Sequence, residues 1–141
     1  MKKNFEYFDH EADVGIVGYG NSLNEAFEEG AKAMFQIMVD IKNVEPKKEI
    51  EIEVEALDEE ALFVEWLNSL LAHKDVEEML FSDFKVEIKH LAGKYILNGI
   101  AKGEKINCKK HHLKTEVKAA TYSQLKIEKN NIYRVQCVVD V

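Results

Sequence analysis

The stretch Phe8-Asp9-His10-Glu11-Ala12-Asp13-Val14-Gly15-Ile16 is the part of the sequence around which the rest of the chain is arranged. Three carboxylates and one imidazole fall within the five residues from Asp9 to Asp13. An aromatic run precedes them, and an apolar, glycine-bearing segment, Val14 to Gly20, follows. Ionisable groups at this density suit neither an ordinary surface loop nor a core. The stretch is therefore the first candidate for a functional site.

The carboxyl end of the chain repeats this pattern, since Asp140 follows an apolar strand and Val141 carries the terminal carboxylate. If Asp140 lies beside Asp13, two anions share a site, which is costly without a counter-charge. Calcium takes about 6–8 oxygen ligands and magnesium about six, whereas these residues supply only a few. The sequence predicts a weak, exchangeable site for a hard cation, completed by water or by a partner protein. The alternative is that Asp9 and Asp13 form turns or helix caps.

Length and composition limit which classes of protein this chain can belong to. The 141 residues fit one domain, 1–141, with 46% hydrophobic and 32% charged residues. A net charge of -7 argues against a broad basic face that grips nucleic acid, so no direct high-affinity nucleic acid binding is expected. Cys108 and Cys137 lie far apart and are expected to be free thiols in a reducing cytoplasm. The chain shows no signal peptide and no membrane span, so we expect a cytoplasmic protein.

Two helices are predicted from their caps and apolar stripes. Ser22-Leu23-Asn24-Glu25 is a capping box, and the helix that follows should end near Val39-Asp40. Asp58 caps a second helix, whose apolar residues recur at helical spacing and include the lone tryptophan, Trp66.

The remaining segments read as strands. Glu49–Ala56 alternates strictly between apolar residues and glutamates. The other predicted strands are Phe5–Phe8, Val14–Gly20, Phe81–Leu91, Lys94–Ala101, Glu116–Tyr122, Leu125–Lys129 and Ile132–Val139. The glycines of the second of these suggest a bulge or a close backbone approach. Strands that do not alternate strictly with helices predict an α+β fold, with mostly antiparallel sheet and two helices packed against it.

Most familiar catalytic patterns are missing from the sequence. His10-Glu11 is not a zincin motif because Val14 stands where the second histidine should be. No phosphate-binding loop and no nucleophile elbow is present. Cys108, His111 and His112 resemble a fragment of a zinc site, but a fourth ligand is not local. A basic, solvated, irregular segment over residues 103–112 is the favoured interpretation.

Four segments, in the right order, resemble the motifs of the archease family along the whole chain. The segments are Asp9-His10-Glu11-Ala12-Asp13-Val14-Gly15-Ile16, Trp66-Leu67-Asn68-Ser69-Leu70-Leu71, Glu116-Val117-Lys118-Ala119-Ala120-Thr121-Tyr122 and the terminal Asp140-Val141. The chain departs from the family pattern in three places: Glu11 replaces a threonine, Ser69 replaces an acid, and Ser123 stands where histidine is common. Neither Glu11 nor Ser123 removes a metal carboxylate, although Glu11 alters the charge beside one.

The resemblance implies a non-catalytic accessory protein of the RNA ligase that joins tRNA halves. Such proteins promote guanylylation of the ligase, allow it to turn over repeatedly, and have been regarded as chaperone-like. The resemblance also implies a divalent cation, calcium in the family, held by Asp13, Asp140 and Val141. Lys118 and His10 are candidates for contact with the partner or its nucleotide, and an exposed strand lysine is the alternative for Lys118. Two other function classes stay open: a metal-dependent hydrolase using Asp13, Asp140 and His10, and a general chaperone-like binding module.

Overall fold

The computed structural model describes residues 4–141, which form two antiparallel sheets, two α-helices and a short 3-10 helix (Ile41–Asn43). In chain order the elements are β1 (Phe5–His10), β2 (Asp13–Gly20), α1 (Leu23–Met38), β3 (Lys48–Ala56), α2 (Glu59–Glu77), β4 (Met79–Leu91), β5 (Lys94–Lys105), β6 (Ala119–Ala120), β7 (Lys126–Lys129) and β8 (Tyr133–Asp140). The first sheet has the order β1-β2-β8-β6, with β7 also paired to β8, and the second has the order β3-β5-β4. The predicted α+β class is confirmed, with the strands divided between two sheets.

The caps of both helices are those expected from the sequence. The Ser22 hydroxyl accepts from the Glu25 amide at 3.1 Å, and the Glu25 carboxylate accepts from the Asn21 amide at 3.2 Å. The Asp58 carboxylate accepts from the Ala61 amide at 2.7 Å. These side chains satisfy amides that the first helical turn leaves without a partner. No helix within residues 4–141 is long and apolar enough to cross a membrane.

One hydrophobic core joins the two sheets and the two helices. Trp66 of α2 is fully buried there, and its indole Nε1 donates to the Phe27 carbonyl of α1 at 3.2 Å. The Trp66 ring lies over Gly99 of β5, where an added Cβ would come within 2.5 Å of the ring. The expected core role of the lone tryptophan is confirmed, and it ties α2 to both α1 and the second sheet.

Four predicted strands differ from the structure by two residues or more, and one of them is β4, which begins at Met79 rather than Phe81. β1 continues to His10 because it forms a hairpin with β2 in which His10 pairs with Asp13. β5 continues to Lys105, since Gly103 pairs with both Lys48 and Phe81. The strand predicted over Glu116–Tyr122 is reduced to Ala119–Ala120, because its partner β8 ends at Asp140, which pairs with Ala119.

Candidate functional site

The candidate site lies at one end of the first sheet, where the turn between β1 and β2 meets the end of β8. Asp13 is the first residue of β2 and pairs with His10 of β1. Its neighbour Val14 pairs with Val139 of β8, so the last residue of β8, Asp140, lies at the same end. The Val141 amide donates to Asp13 Oδ1 at 3.2 Å. Sheet register therefore brings together groups that are more than a hundred residues apart in sequence.

The electrostatics of this end are those of unpaired anions. Asp13, Asp140 and Val141 are all partly buried. Within residues 4–141, neither Asp13 nor Asp140 forms an ion pair with a basic side chain. Asp13 and Asp140 flank the pair that Val14 forms with Val139 on adjacent strands, and like charges at opposed positions of adjacent strands are destabilising unless a counter-charge is supplied. The arrangement thus favours a cation from outside the chain.

The chemistry of these donors fits a hard divalent cation, although their number is small. Carboxylate oxygens are the ligands that calcium and magnesium prefer. One oxygen of Asp13 is engaged by the Val141 amide. In the described part of the chain, no three His, Cys, Asp or Glu side chains are grouped closely enough to hold a metal. The terminal carboxylate, water or a partner protein would have to supply the remaining oxygens.

The two candidate contact residues lie at the same end but differ in surroundings. The Lys118 amide donates to the Asp140 carbonyl at 2.8 Å, while its side chain is exposed. His10 is partly buried, and its Nδ1 atom is buried without a hydrogen-bond partner in residues 4–141. A buried ring nitrogen without a partner is uncommon because desolvation carries a cost. His10 therefore retains hydrogen-bonding capacity at the site.

Asn68 positions the site, and sequence reasoning missed it. Its Nδ2 donates to the Ala120 carbonyl at 3.1 Å, and its Oδ1 accepts from the Ala120 amide at 2.8 Å. This pair of bonds fixes β6, and with it the backbone of Lys118 beside Asp140. The available signal was an amide side chain next to Leu67 within the apolar stripe of α2.

The possible zinc fragment is a structural cluster. His111 is 1% exposed, its Nε2 lies 2.9 Å from Glu104 Oε2, and its Nδ1 accepts from the Asn107 amide at 3.0 Å. Both ring nitrogens are thus engaged within the protein, while Cys108 is exposed. The expectation of a solvated, irregular segment is wrong for His111, because burial against Glu104 removes it from water.

Comparisons with known proteins agree with the resemblance in the sequence. Residues 5–141 match the model of the Archease protein family (MTH1598/TM1083). The chain is 46% identical to the protein archease of Pyrococcus furiosus over 141 residues, with 99% of each chain covered. It is 47% identical to the protein archease of Sulfurisphaera tokodaii over 142 residues, again with 99% of each covered. The solution structure of Methanobacterium thermoautotrophicum protein 1598 is similar with a TM-score of 0.88 and 38% identity, covering 99% of this chain and 100% of that one.

Proposed function

The chain belongs to the archease family, and we propose that it is an accessory protein of RNA processing that activates the RNA ligase of tRNA splicing. It acts in the cytoplasm by promoting guanylylation of the ligase and its repeated turnover. The observation that supports this proposal is that Asp13, Asp140 and the Val141 amide meet at one end of the first sheet. An incomplete set of oxygen ligands at an edge suits a site that a partner protein completes.

We propose that Asp13, Asp140 and Val141 hold a divalent cation, with calcium as the first candidate. When bound, the cation supplies positive charge that neutralises these carboxylates and attracts phosphate or carboxylate oxygens of a partner. The Val141 amide, by donating to Asp13, keeps the end of the chain beside β2. Lys118 offers an exposed ammonium for a partner or its nucleotide, and its backbone lies beside Asp140. His10 is the second candidate contact, and a partner would have to displace its surroundings to reach the buried Nδ1.

The position of the site supports docking to a partner more than enclosure of a small substrate. Clefts of about 870, 850 and 700 Å³ exist in the molecule, and Asp13 and Asp140 line none of them. Enzymes that act on small molecules hold them in concave pockets. A metal-dependent hydrolase and a general chaperone-like module are the alternatives that the first experiment has to separate from an activator.

We expect the cognate ligase to seal more than one equivalent of RNA per enzyme only when this chain is present. The measurement is ligation of tRNA halves with substrate in excess, with and without the chain, alongside guanylylation of the ligase by labelled GTP. The chain alone, with calcium or magnesium, should not hydrolyse a generic phosphate or carboxylic ester. Hydrolysis by the chain alone would favour the hydrolase, and unchanged ligation would contradict the activator.

A tag at the carboxyl end should weaken calcium binding, because it converts the Val141 carboxylate into an amide. Loss of an outer partner of a metal site already lowers affinity about 10–100-fold, so loss of a direct ligand should cost at least that. Calorimetric titration of calcium into C-tagged and N-tagged protein checks this. The N-tagged protein should bind like the untagged chain, whereas equal affinities in both tagged forms would exclude Val141 as a ligand.

A further inference from the structure

A cleft of about 700 Å³, where β3 begins and β5 ends, is strongly basic although the protein is acidic. Five lysines line it together with the carboxylate of Glu104: Lys47, Lys48, Lys105, Lys109 and Lys110. The chain as a whole carries a net charge of -7. Lysines concentrated on one surface of an acidic protein give that surface a local field opposite in sign to the rest.

Two of the lysines are neutralised by carboxylates, one is bonded to a carbonyl, and two are free. Lys110 Nζ lies 2.8 Å from Glu104, and Lys47 Nζ lies 2.9 Å from Glu45. Burial opposes ionisation of Glu104, but hydrogen bonds from Lys110, the Glu45 amide and His111 lower its pKa to about 2. It is therefore an anion at neutral pH. Lys105 Nζ donates to the carbonyl of Glu77, the last residue of α2, at 2.5 Å. Lys48 and Lys109 have no carboxylate partner among the described residues.

The wall of the cleft is fixed from inside the protein. The Asn107 carbonyl accepts from the amides of Lys110 and His111 at 3.0 and 2.7 Å. The Asn107 amide donates to His111 Nδ1, which places the ring proton on Nε2, where it donates to Glu104. A buried, fully bonded imidazole and carboxylate thus hold the turn that carries Lys109. Charges on a fixed turn lose less conformational entropy when they bind a ligand.

The cleft lies at the same end of the molecule as the carboxylate site. Four residues after Lys110, the last residue that lines the cleft, the Lys114 amide donates to the carbonyl of Met38, the last residue of α1, at 2.8 Å. Four residues later, the Lys118 amide donates to the Asp140 carbonyl. The seven residue steps from His111 to Lys118 span at most about 25 Å even when fully extended. A partner docked on the carboxylate site therefore comes close to the lysines.

We propose that this cleft binds the phosphodiester backbone of the RNA that the ligase joins, an inference that rests on the proposed function. Among the described residues, no aromatic side chain lines the cleft, so bases have no surface there on which to stack. Lysine ammoniums act as point charges toward phosphate and read no sequence. A protein partner would need an apolar centre, which a lining dominated by lysines does not provide. Two free lysines, with Lys105 held at the end of α2, give weak binding, in keeping with the low affinity for nucleic acid expected from the overall charge.

The test compares two charge-reversed variants. Lys48→Glu/Lys109→Glu alters the cleft at two exposed side chains without ion pairs. Lys89→Glu/Lys129→Glu makes the same change in net charge on β4 and β7, outside the cleft. With ligase and activator saturating, the cleft variant should raise the KM for RNA by about tenfold and reduce its salt dependence, because fewer phosphates are contacted. Guanylylation without RNA, and the KM with the control variant, should match wild type.

Each other outcome has a defined meaning. Equal KM values for RNA with the two variants would overturn the proposal. Loss of ligase binding by the cleft variant in the absence of RNA would also overturn it, and would assign the lysines to an acidic protein surface. If the wild-type protein does not stimulate the ligase, the proposed function is refuted, and the cleft proposal needs a test without the ligase. Fluorescence anisotropy of a labelled single-stranded RNA at low salt then measures the RNA affinity of the two variants. Equal affinities would refute RNA binding by the cleft.

Discussion

Asp13→Asn is expected to reduce ligase turnover to the level seen without the protein, while leaving the protein folded. Asparagine keeps an oxygen that can accept from the Val141 amide, as Asp13 does at 3.2 Å. It removes only the negative charge and one strong ligand for a hard cation. Calcium affinity should therefore fall by at least about tenfold. Asp140→Asn should behave in the same way, because both carboxylates lie at one end of the sheet.

Stability measurements separate loss of the site from loss of the fold. Asp83→Asn, at an exposed position of β4 in the second sheet, makes the same chemical change and should activate the ligase like wild type.

A ligand that binds only the folded state raises the apparent stability of that state. Calcium should therefore raise the Tm of wild type and of Asp83→Asn but not of Asp13→Asn. With a chelator present, Asp13→Asn should melt no lower than wild type, since removal of one anion relieves repulsion. Full activation by Asp13→Asn would make the carboxylate cluster structural and leave docking alone as the mechanism.

Local signals in the sequence predicted the elements well because each signal is contained in a few neighbouring residues. The caps at Ser22 and Asp58, the alternation of β3 and the turn at Ala92-Gly93 all depend on contacts within one turn or one hairpin. Ala92 and Gly93 both have positive φ, 51° and 78°, as a tight hairpin turn requires. Such interactions leave a pattern at fixed spacing.

Features that depend on distant partners were not predictable in the same way. The periodicity of a strand shows which of its faces is buried but not which strand lies beside it. Nothing in the sequence therefore predicted that the strands divide into two sheets. Asn68 bonds both backbone groups of Ala120, 52 positions away, and no local pattern predicts this contact. The burial of His111 was not predictable, because nothing in the sequence distinguishes its partner, Glu104, from the other charged residues. The carboxylate site is predicted from the apolar strands beside Asp13 and Asp140 and from the family resemblance, not from any local pattern that joins the two residues.

Gly18→Ala is expected to destabilise the protein by about 3 kcal/mol or more, at the upper end of the cost of overpacking. Gly18 lies on β2 where α1 crosses it, and an added Cβ would come within 2.4 Å of the Ala26 carbonyl oxygen and 2.5 Å of the Gly30 amide nitrogen. Both atoms belong to the backbone of α1, so no side chain can rotate away. The helix would have to move off the sheet, and the core beneath it would lose contacts. The close backbone approach suggested by the glycines of β2 is thus present in the structure.

Gly93→Ala is the matched control, because it adds the same methyl group where nothing lies within 4 Å. Its cost comes only from the left-handed backbone, φ +78°, and should be about 1–2 kcal/mol. Urea denaturation of both variants measures the difference in unfolding free energy directly, and the Tm of Gly18→Ala should fall by about 6–12 °C.

Calcium affinity is the second measurement. Displacement of α1 also moves Met38, which anchors the segment leading to Lys118 and Asp140. Equal destabilisation by the two variants would mean that α1 can shift freely on β2, and the carboxylate site would then need another source of rigidity.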